Sequence, residues 1–405
     1  MTNSIPLTVS NDSVAKRNVL VLSVCQALSN TGSSLVMTVA SLVGLMLADD
    51  KSLATLPLAI QFTATTLTTI PASLMMGRFG RKIGFTFGQA IGVGGASLAV
   101  YAIYQSDFSL FVLASGLLGA HNAFWQYYRF AAADTASDAY KAKAISYVMA
   151  GGVFAAIVGP QIAKWGANAF APVLFVGGYV AIIGLSMATI VLLQAISVPK
   201  PTHVGISVKG RPLGEIARQP VFIVAVTSAT LGYAVMVLVM TATPIAMKMC
   251  GFGFSDSATI IQWHALAMFA PSFVTGRLIK KFGVLQIIIT GTLLNAIAMS
   301  INLAGIDFLN FWGGLVFLGL GWNFMFVGGT TLLTDAYRPE EKSKVQALND
   351  FTVFGMVAIA SFSSGALLDK FGWNAVNATV TLPVCIAFAG AVWFLLVHTP
   401  QKENA

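Results

Sequence analysis

Charge is what this chain has least of. Of its 405 residues, 9% are Asp, Glu, Lys or Arg, while 56% are hydrophobic. A soluble domain is nearer a quarter charged, and a soluble fold of this size cannot hide so much apolar surface, because part of every such chain faces water. Lipid removes that limit. Cysteine is scarce too: Cys25, Cys250 and Cys385 lie far apart, in or beside apolar segments, which excludes a disulfide framework and a cysteine metal site. Nothing reads G-x-x-x-x-G-K-[ST], so direct drive by a nucleoside triphosphate is excluded. Nearly all of the 15 acids fall in loops or at helix ends. That leaves no carboxylate pair, metal cluster or nucleophile–base arrangement for an intramembrane enzyme. No loop is long enough for a soluble sensor domain, and no ring of like residues suggests a channel. The net charge of +8 comes from short basic clusters between apolar runs rather than from one stripe, which argues against a nucleic-acid partner.

Apolar runs are there in abundance. About 20 apolar residues cross the hydrocarbon of a bilayer, and runs of that kind fall at 18–47, 53–77, 83–104, 108–130, 141–163, 170–197, 218–247, 256–278, 284–304, 308–333, 344–367 and 375–398. Lys16 and Arg17 precede the first run, which is too long for the core of a signal peptide and is read as a helix. With the N-terminus inside, only Lys51, Lys164, Lys248 and Lys370 of the 23 basic residues fall outside. That asymmetry supports twelve spans with both termini cytoplasmic. The polar stretch 198–217 divides the chain into an N-terminal bundle (1–197) and a C-terminal bundle (218–405). It reads as a cytoplasmic linker with a short amphipathic piece.

One pattern recurs four times: a small residue, four positions, then basic–aromatic–Gly. Its copies are Ser73…Arg78-Phe79-Gly80, Gly159…Lys164-Trp165-Gly166, Gly276…Lys281-Phe282-Gly283 and Gly365…Lys370-Phe371-Gly372. Each closes the second helix of a three-helix group, alternately inside and outside, which is an inverted repeat within each half. Asn122, Asp134, Lys141 and Lys143 recur at one constant interval as Asn323, Asp335, Lys342 and Lys344, relating the halves to each other.

On these residues the chain resembles the major facilitator superfamily over essentially its whole length. Gly77-Arg78-Phe79-Gly80-Arg81-Lys82 is similar to that family's loop between helices two and three, and Gly365 to Gly372 matches the same pattern more fully. Gly77 and Lys280 stand where the family usually carries Asp. The resemblance implies an all-α integral membrane fold of twelve transmembrane helices in two pseudo-symmetric six-helix bundles. It also implies gating loops carried by Arg78, Arg81, Lys82, Arg129, Asp134, Lys281 and Asp335. Gly159-Pro160 partly resembles the family's antiporter motif, but Ile162-Ala163 replaces the following Gly pair. Ser115 stands where proton-coupled drug antiporters usually have Arg.

Polar residues inside a span are costly and mark functional positions. On helix four His121, Trp125 and Tyr128 follow one another at i, i+4 and i+7, with Asn122, Gln126 and Arg129 beside them. Gln26 and Asn30 (helix one), Gln61 (two), Tyr233 (seven), Gln262 (eight), and Trp322 and Asn323 (ten) complete a cavity suited to a planar molecule with hydrogen-bonding edges. His264 and Asp350 are the candidates for proton coupling. The bland alternative for each polar residue is hydrogen bonding between helices. The expected function is secondary active transport of a small organic solute by alternating access, as a monomeric proton symporter in a bacterial inner membrane, with no cofactor or metal. Gly321-Trp322-Asn323-Phe324…Gly328-Gly329-Thr330-Thr331 and Gln346 to Phe351 resemble one bacterial branch of the superfamily, which implies riboflavin or a similar aromatic heterocycle as the solute. A multidrug or metabolite exporter working as a proton antiporter is the alternative.

Overall fold

A computed structural model describes residues 12–136, 138–197 and 210–398. Fifteen α-helices run in order: α1 (Asp12–Leu47), α2 (Leu56–Phe79), α3 (Arg81–Tyr104), α4 (Phe108–Trp125), α5 (Tyr128–Thr135), α6 (Asp138–Gly166), α7 (Val176–Leu193), α8 (Leu213–Ala217), α9 (Pro220–Met249), α10 (Phe254–Phe269), α11 (Ser272–Phe282), α12 (Val284–Ala304), α13 (Phe308–Leu332), α14 (Lys342–Thr379) and α15 (Thr381–His398). The described residues form no strand. Leu74, Leu309 and Leu396 expose 70, 73 and 77% of their surface; such an apolar exterior is stable only against lipid.

Ten helical stretches are long and apolar enough to cross a membrane by length and composition alone. One of them, Lys344–Val397, spans 54 residues and is broken at Gly372 (φ 77), so it supplies two crossings. α10 and α11, of 16 and 11 residues, are individually short and cross together as one helix interrupted at Pro271. Counted so, the described helices allow the twelve crossings that the hydropathy pattern expects, which puts Asp12 and His398, the ends of the described residues, on one face. That face is called proximal below, and the opposite one distal.

In three copies of the repeat the Gly takes a positive φ: 91° at Gly80, 97° at Gly283 and 77° at Gly372. Residues with a Cβ are strained there, and Gly lets one helix stop and the next begin without a loop. The second copy departs from this. Gly166 ends α6 without a positive φ, and nine residues (167–175) intervene before α7. Gly166 is required there for a different reason: a Cβ would lie 2.7 Å from Gly178 N. The sixth span therefore starts at Val176, not at 170.

Within the first half α1 packs on α6 and α7, α2 on α4, and α3 on α4 and α7. Within the second α9 packs on α13, α14 and α15, and α12 on α13 and α15. The halves meet through α2–α14, α6–α10 and α1–α9. Hydrogen bonds join the two halves toward the distal face. Thr55 Oγ1 donates to Ser361 O (2.7 Å), Gln161 Nε2 to Gln262 Oε1 (2.6 Å) and Lys164 Nζ to Thr259 Oγ1 (2.7 Å). Phe175 adds an edge-to-face contact with Phe254 at 5.0 Å.

Linker residues 198–209, with Lys200 and Lys209, lie outside the described residues. Where the chain resumes, Arg211 is clasped to Glu341, the residue before α14. Arg211 N and Nε donate to Glu341 Oε1 (2.7 and 2.9 Å) and Nη2 to Oε2 (2.7 Å), while Arg338 N also donates to Oε2 (3.0 Å). Arg211 Nη2 and Gln219 Nε2 both donate to Ala336 O, and Lys344 Nζ donates to Arg211 O. The Glu341 side chain is 0% exposed, and a buried carboxylate is tolerated only when fully paired. The hydrogen bonds from Arg211, then that from Arg338, hold its acidity well below the usual carboxylate range. A depressed folded-state value adds stability that is present above the ordinary carboxylate pKa and disappears only as pH falls below it. Glu341→Gln should lower the melting temperature of purified protein at pH 7 and at pH 5 alike, while the parent melts unchanged between those values. Equal melting of parent and variant at pH 7 removes the clasp as a stabilising element.

Candidate functional site

Aromatic rings from four segments converge in the second half. Trp322 and Phe326 are four residues apart on α13, hence on one face, and their rings stack at 5.2 Å with 10° between planes. Tyr233 from α9 meets them edge-on at 5.3 Å each and reaches Phe354 of α14 at 5.8 Å. Phe269, at the end of α10, closes on Trp322 at 6.0 Å. Such a box recognises a flat π-system by stacking and edge contacts. The Trp322 indole N–H is buried and has no hydrogen-bond partner among the described residues. Buried donors are rarely left so, and this one offers a hydrogen bond to a solute acceptor. The sequence pointed to Tyr233 and Trp322. Phe326 was legible from its spacing to Trp322, whereas Phe269 and Phe354 carry no such signal.

The first half presents polar groups instead. Gln61, His121, Asn122, Ser29, Ser33 and Ser186 line a pocket between α1, α2, α4 and α7. Its empty volume is about 280 Å³ including the open mouth. The side-chain oxygens of Gln61 (1% exposed) and of Gln26 (6%) have no partner among the described residues. Trp125 Nε1 donates to Asn122 Oδ1 (2.9 Å). His121 Nδ1 lies 3.0 Å from Gly88 O. A carbonyl only accepts, so this nitrogen carries the proton and Nε2 is left as an acceptor. Asn30 is half-buried against α6, its Nδ2 3.3 Å from where a Cβ on Gly152 would sit.

Several expected cavity residues serve other contacts. α4 stops at Trp125, so the i, i+4, i+7 run breaks before its third member, and Gln126 caps the break. Tyr128 opens α5 with its ring in the core, edge-on to Phe85 at 4.7 Å, and its hydroxyl accepts from Gln89 Nε2 (2.8 Å). Asn323 is fully occupied where Pro271 separates α10 from α11. Its Nδ2 donates to Met268 O and Ser272 Oγ (2.7 Å each), and its Oδ1 accepts from Thr275 Oγ1 (2.7 Å). Gln262 is taken up in the bond to Gln161. His264 is 0% exposed, with Nδ1 2.7 Å from Leu315 O and Nε2 unpartnered among the described residues. Asp350 is exposed beside Asn349 (3.0 Å), within range of the charge on Arg129.

The proximal charges chiefly tie helix ends within each half. Arg81 pairs with Asp134, and Lys82 Nζ donates to Gln194 O at the end of α7 (2.6 Å). Arg78, Arg129 and Lys281 lie over the rings of Phe79, Phe130 and Phe282 at 5.4, 4.8 and 5.0 Å. Asp335 is exposed in a short 3₁₀ turn after α13.

Comparison with known proteins places this geometry. Residues 22–271 and 253–405 match the profile of the Major Facilitator Superfamily. The riboflavin transporter RfnT of Brucella anthropi is 42% identical over 372 residues, covering 91% of this chain and 93% of that protein. An uncharacterized MFS-type transporter of Bacillus subtilis, YdeG, is 28% identical over 88% of this chain and 85% of its own length. Among solved structures, the crystal structure of an auto inhibited POT family peptide transporter superposes with a TM-score of 0.69 at 12% identity. That match covers 96% of this chain and 98% of the other, a likeness of fold.

Asn323→Ala should destabilise the protein by about 1–3 kcal/mol, since it strands the carbonyl of Met268 and leaves Thr275 Oγ1 only its bond to Pro271 O. A melting temperature equal to the parent's would remove Asn323 as the brace of the helix break.

Proposed function

The chain belongs to the major facilitator superfamily of secondary transporters, and from that membership we propose that it carries riboflavin, or a closely similar aromatic heterocycle, across a bacterial inner membrane. The observation that carries this reading is the aromatic box. Tyr233, Phe269, Trp322, Phe326 and Phe354 pack ring to ring in the second half of the protein, while Gln26, Gln61 and Asn122 belong to the first. An isoalloxazine is a flat ring system with acceptor atoms on its edge, which is the chemistry that a stacked box with a free indole N–H selects. The 42% identity to a riboflavin transporter over nearly its full length supports the same solute.

The two bundles, 1–197 and 218–405, rock about the box, so that it faces one side of the membrane at a time. Hydrogen bonds between the halves toward the distal face, together with the exposure of Asp350 toward the proximal one, support a state open on the proximal side. The excess of Lys and Arg in the proximal loops supports a cytoplasmic proximal face. Coupling is to protons moving with the solute, with His264 and Asp350 as the titrating groups, and the monomer is the working unit.

Purified protein in liposomes should show saturable exchange of labelled riboflavin against internal riboflavin. Trp322→Ala should raise the half-saturation concentration by about tenfold, the loss of one to two aromatic contacts. Absence of exchange with riboflavin at any concentration would sink the substrate assignment. His264→Gln and Asp350→Asn should each be compared with the parent across pH 5.5–8, and a profile unchanged in both variants would remove them as proton carriers.

A further inference from the structure

Thr55 is the N-cap residue of α2, yet its side chain makes no cap hydrogen bond. This is unusual for threonine, whose oxygen ordinarily serves the first turn of its own helix. Here the hydroxyl reaches the other half. It donates to Ser361 O (2.7 Å) and accepts from Gly365 N (3.0 Å). Ser361 and Gly365 are four residues apart on α14, so these are the carbonyl and amide that an uninterrupted α-helix joins to each other. A side chain of the first half therefore reaches both polar groups of one rung of the second half's backbone ladder, in a stretch where α14 keeps helical dihedrals. The approach is built in. Thr55 and Ser361 are each 0% exposed. A Cβ on residue 365 would lie 2.7 Å from Thr55 Oγ1 and 2.8 Å from Ser52 O, so only glycine admits the contact. Gly365 is the small residue of the fourth repeat copy. Its counterpart near the proximal face, Gly276, meets no atom within 4 Å.

We infer that Thr55 is the distal latch of the transport cycle, gripping both polar groups of one backbone rung of α14. With the distal face shut, the hydroxyl holds both Ser361 O and Gly365 N. When that face opens, Thr55 withdraws and that carbonyl and amide keep each other as helix partners. No buried polar group of α14 is left unpaired in either state, which keeps the energy difference between them small. Thr55 is a positioning residue, since it touches no solute. The inference rests on the rocking of the two halves and is independent of which solute is carried.

The test reads access to the distal cleft. Cys25, Cys250 and Cys385 are replaced by serine, and Ser41, buried in the distal part of α1 (1% exposed), is replaced by cysteine. The labelling rate with a polar maleimide is then measured on protein in detergent without solute. Thr55→Val keeps the shape and removes the hydroxyl. It should label about fivefold faster, the weight of one buried hydrogen bond, while Thr55→Ser stays at the parental rate. Gly365→Ala should reproduce the faster labelling by blocking the approach, and it decides alone should Thr55→Val not survive purification. Parental labelling in Thr55→Val or Gly365→Ala, or equally fast labelling in Thr55→Ser, overturns the latch. Labelling needs no solute, so a failure of riboflavin exchange leaves this result standing.

Discussion

A backbone in hydrocarbon has no water to fall back on, so each amide and carbonyl must find its partner within protein. The regular stretches of helix meet that demand by themselves, and the interruptions are where side chains are recruited. Pro271 breaks a crossing, and Asn323 on α13 takes up Met268 O while Ser272 and Thr275 close around its amide. The stop at Trp125 is covered by close turns from Gln126 and Tyr127 onto Asn122 and Phe124. One rung of α14 is reached by a hydroxyl from the other half of the protein. Much of the polar inventory within the spans is thus assigned before any solute is considered.

That demand explains what could be read from the sequence and what could not. The spans follow from hydrophobic run length, which lipid enforces along the whole chain. The basic–aromatic–Gly copies encode real turns at Gly80, Gly283 and Gly372, where φ is positive. The copy at Gly166 has the same letters but serves close packing against Gly178, and no pattern of residues separates the two uses. Within helix four, periodicity placed His121, Trp125 and Tyr128 on one stripe. The helix ends after Trp125, and no proline or glycine marks that stop. Asn323 had the right composition for a ligand contact and the right neighbours for a brace, and only the position of the Pro271 break decides between them. Phe269 and Phe354 join the aromatic box through the folding of separate helices, a long-range fact with no local trace.

The two halves share a scaffold yet differ in chemistry at equivalent places. His121 in the first half takes the position that Trp322 holds in the second, judged by the interval relating Asn122 to Asn323. One points its proton at a backbone carbonyl of α3, and the other stacks on Phe326. Duplication supplied the frame, and divergence placed a flat apolar grip on one side and unpaired amide oxygens on the other. A solute with an aromatic face and polar edges matches such a division better than a uniformly greasy one.

The clasp between Arg211 and Glu341 has a mechanical side. Glu341 immediately precedes α14, so the clasp fixes Arg211 to the root of that helix. Farther along the same helix, Ser361 and Gly365 are held by Thr55 of the first bundle. α14 is therefore anchored at its root to its own bundle and tied at a second point to the other. Its bending stiffness, more than the strength of any one contact, sets how far motion at one membrane face is transmitted to the other.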